Sequence, residues 1–198
     1  MDGCALSGRY WGNRELAAIW PKLTRMIRKP RSPSPAVAEP RRPLLLAVLS
    51  FVREAKACPG VQRVSLIGSV VTAKPIPKDI DVLVTIDAEM ELSRLARAGR
   101  RLKGFAQTIN LGADIFLADA TDRYLGRICH YRECHPRARC FAQHCGQRNC
   151  LNHDLHIVTL SQEQISMPPV DLWPKVVRRV TVPPDVENIL LTELEREH

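Results

Sequence analysis

Residues 79–84 read Asp-Ile-Asp-Val-Leu-Val, two carboxylates set into an otherwise apolar strand, and eleven residues upstream of Asp79 stands the pair Gly68-Ser69. Alternate residues of a strand share a face, so Asp79 and Asp81 point the same way while Ile80, Val82 and Val84 fill the other side. Like charges that close raise each other's proton affinity unless a cation sits between them. Hard oxygen donors of this kind suit Mg²⁺ or Mn²⁺. The apolar run Val61–Ile67 ends at Gly68, where a residue without a Cβ lets backbone N–H groups approach a phosphate. A third carboxylate, Asp114, opens the short strand Ala-Asp-Ile-Phe-Leu-Ala at 113–118.

Gly-Ser, a spacer, Asp-x-Asp on a strand, a helix, then a strand with a single Asp resembles the polymerase-β-type nucleotidyltransferase superfamily in its minimal form, over residues 44–119. The resemblance implies that Asp79 and Asp81 hold two magnesium ions, that Asp114 binds the ion that activates the acceptor and positions or deprotonates the attacking hydroxyl, and that Gly68 and Ser69 contact a triphosphate. It implies transfer of a nucleotidyl group, AMP from ATP in the expected case, to an acceptor hydroxyl. The acceptor classes it allows are small molecules, RNA ends, or a protein as in toxin–antitoxin pairs. The segment 70–78 lacks the Arg and Gly that members commonly carry after Gly-Ser, and the Ser before the first Asp. Instead it has Pro75 and Pro77, which stiffen the loop, with Lys74 and Lys78 as candidate phosphate contacts or solvated loop lysines.

The expected fold is α/β (α+β): a nucleotidyltransferase-like mixed sheet packed against helices, with a Cys/His-rich insertion. The order is helix 44–57, strand 61–67, a turn of helix near 69–73, strand 80–86, helix 89–108 and strand 113–118, with a further strand at 154–160. The buried side of the second helix is expected to be Met90, Leu92, Leu95, Ala96, Leu102, Phe105 and Ala106. Three regions follow. Residues 1–43 are a basic, Pro-rich extension, partly disordered, with nine Lys/Arg against three Asp/Glu. Residues 44–160 form the nucleotidyltransferase-like domain. Residues 161–198 are an irregular tail with a terminal helix at 185–197.

Residues 94–148 are basic, eleven Lys/Arg against four Asp/Glu. Beside a carboxylate site this suits a nucleoside triphosphate or nucleic acid. Equally, Arg94, Arg97, Arg100, Arg101 and Lys103 read as the solvated face of a helix. The longest apolar run, 44–52, is too short to cross a bilayer. It reads as a helix with Pro43 in its first turn, so no membrane partner is expected. Seven cysteines without a secretory signal suggest reduced thiols in a cytoplasm.

Five of those cysteines fall at Cys129, Cys134, Cys140, Cys145 and Cys150, interleaved with histidines including His144. These six residues are candidate ligands of a structural zinc. Unliganded thiols with surface histidines are the alternative, and a disulfide framework a third. The leading functional expectation is the nucleotidyltransferase. Its rival is a non-catalytic module of the same fold that binds RNA or a protein partner. A hydrolase or nuclease using the same aspartates lacks a clear general base.

Overall fold

Strand β2 (Asp79–Ile86) is the organising element of the molecule, a computed structural model that describes residues 41–72, 74, 77–129, 148–152, 158 and 160–197. Its even-numbered residues Ile80, Val82, Val84 and Ile86 are fully buried on one face. Asp81 and Thr85 face the other way with Leu83, as the alternation predicts. β1 (Val61–Ile67) runs antiparallel to it, with Ile67 opposite Asp81. β3 (Gly112–Asp119) runs parallel to it on the far side. Parallel neighbours need a crossover, and helix α2 (Ser93–Thr108) supplies it.

The sheet has seven strands among the described residues, in the order β5-β4-β3-β2-β1-β6-β7. β4 is Tyr124–Ile128, β5 Leu151–Asn152, β6 Val170–Trp173 and β7 Val177–Arg178. Apart from β2–β3, every pairing is antiparallel. Helix α1 (Arg41–Ala55) packs with α2 over one face. Leu44, Leu45, Val48 and Val52 of α1, Leu95 and Ala96 of α2, and Ile115 and Leu117 of β3 are all fully buried there. Each such leucine, isoleucine or valine contributes roughly 1.5–3 kcal/mol. Of the expected buried side of α2, only Phe105 is exposed, and the helix starts at Ser93, so Met90 and Leu92 lie ahead of it.

The opposite face carries a smaller cluster of Ile67, Leu83, Phe116, Ala118 and Ile165, flanked by Tyr124, Val158 and Leu160. Ile165 belongs to α3 (Gln162–Ser166), whose start is closed by a reciprocal Ser161–Gln164 capping box. Arg63 holds this segment on the sheet by donating to the carbonyls of Ile165 (2.6 Å) and Ser166 (3.2 Å).

Residues 161–197, expected to be an irregular tail with a terminal helix, hold that helix and also strands β6 and β7. β6 adds to the free edge of β1. A helical stretch, Val186–Leu191 in a wide π-type turn followed by α4 (Thr192–Arg196), buries Val186, Leu190, Leu191 and Leu194 in the main core. The strand expected at 154–160 lies mostly outside the described residues, which include only Val158 and Leu160 of it, neither of them in a strand; the described partner of β4 is Leu151–Asn152. Among the described residues no helix is long and apolar enough to cross a membrane.

Candidate carboxylate site

At the N-terminal end of β2 the sheet register brings the three aspartates together. Asp81 is the direct neighbour of Asp114 across the parallel β2–β3 ladder, and Asp79 neighbours Gly112. Paired residues of adjacent strands lie about 4.8 Å apart with side chains on one face. Asp81 and Asp114 are half-buried and Asp79 is exposed, so the cluster opens to solvent at one end. The Asp81 carboxyl is pushed up to about 6, by burial first, then by repulsion from Asp114 and Asp79, against an opposing pull from Arg127.

Two glycines make room for these carboxylates. Gly68 follows β1 with φ of 74° and opens a short 3-10 turn, Gly68–Val71. A Cβ there would collide with Asp81 Oδ2 and lie 3.1 Å from its Cγ, so Asp81 leans over the bare Cα. On the other side of β2, a Cβ on Gly112 would collide with Asp79 Oδ1. Ser69 stands next to Gly68, half-buried, its carbonyl taken by the Thr72 N–H (3.2 Å) and hydroxyl (2.6 Å). Lys74 and Lys78 are both exposed in the following loop.

Three further residues of the site were not singled out from sequence. Lys103 Nζ lies 3.5 Å from Asp114 Oδ1, and an Arg127 guanidinium nitrogen lies 3.2 Å from Asp114 Oδ2. From sequence Lys103 reads either as part of a basic band beside the carboxylates or as the solvated face of α2; a quarter of its side chain is exposed. Arg127 is the cross-strand neighbour of Phe116, two residues beyond Asp114 on the same face. The third is Arg41, buried at the start of α1. It donates to both oxygens of Asp185 (2.5 and 3.1 Å) and to the carbonyls of Val70 (3.1 Å) and Lys74 (2.8 Å). It thereby ties Val70 and Lys74, in the segment after Gly68-Ser69, to the start of α1 and to Asp185.

The donor chemistry fits a hard divalent cation: three carboxylates, no sulfur, and an accommodating glycine turn. As the side chains stand, no three His, Cys, Asp or Glu residues surround a common point among the described residues, and each Asp114 oxygen faces a cation. Of the six candidate zinc ligands, Cys134, Cys140, His144 and Cys145 lie outside the described residues. Cys129 and Cys150 meet through the backbone, the Cys129 N–H donating to the Cys150 carbonyl at 2.7 Å.

The chain belongs to a family of unknown function (DUF6932), whose sequence profile matches residues 25–161. No curated protein matches it, and no solved structure does.

Proposed function

We propose that the chain is a magnesium-dependent nucleotidyltransferase, built on a nucleotidyltransferase-like sheet, that moves AMP from ATP to a hydroxyl on a small molecule or protein. The observation that carries this reading is the adjacency of Asp81 and Asp114 across β2 and β3, with Asp79 on the same face and the Gly68 turn beside them. Asp79, Asp81 and Asp114 would hold two magnesium ions, which when bound supply the positive charge that offsets charge developing on the phosphates.

The chain's own groups have distinct tasks. The Gly68-Ser69 turn seats the phosphates through backbone N–H and the Ser69 hydroxyl, with Lys74 and Lys78 within the adjoining loop. Asp114 orients the acceptor hydroxyl or takes its proton. The acceptor oxygen bonds to the α-phosphorus as the bond from that phosphorus to the bridging oxygen breaks, and pyrophosphate leaves. The half-buried setting of Asp81 and Asp114 limits competing water.

A second reading, a non-catalytic module for RNA or a protein partner, is supported by the engagement of Asp114 with Lys103 and Arg127. Calorimetric titration with ATP separates the two. The enzyme reading expects magnesium-dependent binding that Asp79→Ala/Asp81→Ala abolishes, and label transfer from α-labelled ATP to an acceptor in lysate. Wild-type protein that ignores millimolar ATP with magnesium would refute it.

A further inference from the structure

The acidic cluster has its own cations. Lys103 comes from α2 and Arg127 from β4, so two separate elements deliver positive charge to one carboxylate, Asp114. Neither is a long side chain loose in solvent: a quarter of Lys103 and a fifth of Arg127 are exposed. Arg127 is fixed by its strand register against Phe116, and its charge also reaches Asp81. Among the described residues, two cations stand against the three carboxylates of this partly buried cluster.

We propose that Lys103 and Arg127 are resident counter-ions that occupy Asp114 in the nucleotide-free protein and exchange it for phosphate oxygens when a nucleoside triphosphate binds. This rests on the nucleotidyltransferase reading and adds to it a control on metal loading. An ammonium and a guanidinium compete with a divalent cation for the same carboxylate lone pairs. They also repel that cation directly at short range. Metal binding to the nucleotide-free protein is therefore held weak. A triphosphate relieves the competition, because its oxygens accept the same N–H donors, Arg127 through its planar fork. Metal and nucleotide then bind with positive coupling, and each tightens the other by the same factor. Neither side chain makes or breaks a covalent bond; both are positioning residues.

The test is Mn²⁺ binding to the full chain, followed by calorimetry and by electron paramagnetic resonance of free Mn²⁺, with and without a non-hydrolysable ATP analogue. The variants are Arg127→Met, Lys103→Met and Arg127→Lys, with circular dichroism and thermal unfolding to confirm that each is folded. Either methionine variant is expected to bind Mn²⁺ alone at least about tenfold tighter than wild type, since a unit charge a few Å away is removed. The same variant is expected to bind the analogue about tenfold or more weakly, and Arg127→Lys to fall between. Mn²⁺ binding by the methionine variants where wild type shows none would support the same conclusion.

Wild-type binding that depends on Asp81, with both folded methionine variants no tighter, overturns the counter-ion role and leaves the enzyme reading intact. Absence of Mn²⁺ binding in wild type and in folded variants alike overturns both. If Arg127→Met does not fold, Lys103→Met gives the decision alone.

Discussion

Asp81 stands half-buried between two other carboxylates, and its proton is held until about pH 6. In the unfolded chain the same group loses its proton near 3.8. Between those values the folded protein binds a proton that the unfolded chain has released. Its stability therefore falls as pH rises from about 4 to 6, and stays lower above. Asp81→Asn removes that term. At pH 7.5 without metal the variant is expected to be more stable by about 1 kcal/mol, discounted for screening, or roughly 2–4 °C in melting temperature for a chain of this size. Its advantage should vanish toward pH 4, while magnesium-dependent ATP binding is lost at every pH. Melting curves from pH 4 to 8 check this; a variant less stable than wild type at pH 7.5 would mean that Asp81 serves the fold. Gly68 answers to the same carboxylate. Gly68→Ala meets both a φ of 74° and a collision with Asp81. It is expected to cost about 1–2 kcal/mol in urea unfolding and to weaken ATP binding at least tenfold.

Among elements, the turn after β1 depends on a helix that precedes it. Arg41, in the first turn of α1, bonds the carbonyls of Val70 and Lys74 and both carboxylate oxygens of Asp185. Burial alone would raise the Asp185 carboxyl, but the hydrogen bond and charge of Arg41 outweigh it and hold it below the usual carboxylate range. Arg41→Ala leaves Asp185 and two carbonyls without that donor and is expected to cost about 2–3 kcal/mol. Arg41→Lys should recover only part of this, since an ammonium cannot match the two-pronged geometry. Chemical denaturation gives the first number, and ATP titration should show weaker binding in both variants because the phosphate-seating turn loses its brace.

At the scale of the whole molecule, the segment after Leu160 closes the fold. β6 pairs with β1, the strand that ends at Gly68, and Val170, Leu172, Val186, Leu190, Leu191 and Leu194 are fully buried in the main core. Arg179 and Ser65 meet at the buried Asp171 of β6, at 2.8 and 2.6 Å. A chain cut after Leu160 would expose six aliphatic side chains and one sheet edge, at roughly 1.5–3 kcal/mol per side chain. That sum, about 9–18 kcal/mol, is as large as the usual 5–15 kcal/mol stability of a whole domain. The truncated chain is expected to show no cooperative unfolding transition and to aggregate; a soluble fragment that melts cooperatively would contradict this.

Local periodicity is a property of the sequence alone, and it sufficed for β1, β2, β3, α1 and α2, for the common face of Asp79 and Asp81, and for a glycine at the end of β1. Those features depend on residues two to four apart, which the spacing of apolar side chains states directly. It did not suffice for β4, β5 and β6, where two to five residues must find partners far along the chain; Ser65 meets Asp171 across 106 residues. The neighbours of Asp114 have the same origin. Lys103 looks like any solvated helix lysine and Arg127 like any strand arginine until the β2–β3–β4 register sets both beside one carboxylate. Which charges oppose which is decided by strand pairing, because electrostatic energy depends on distance in space and not on separation in sequence.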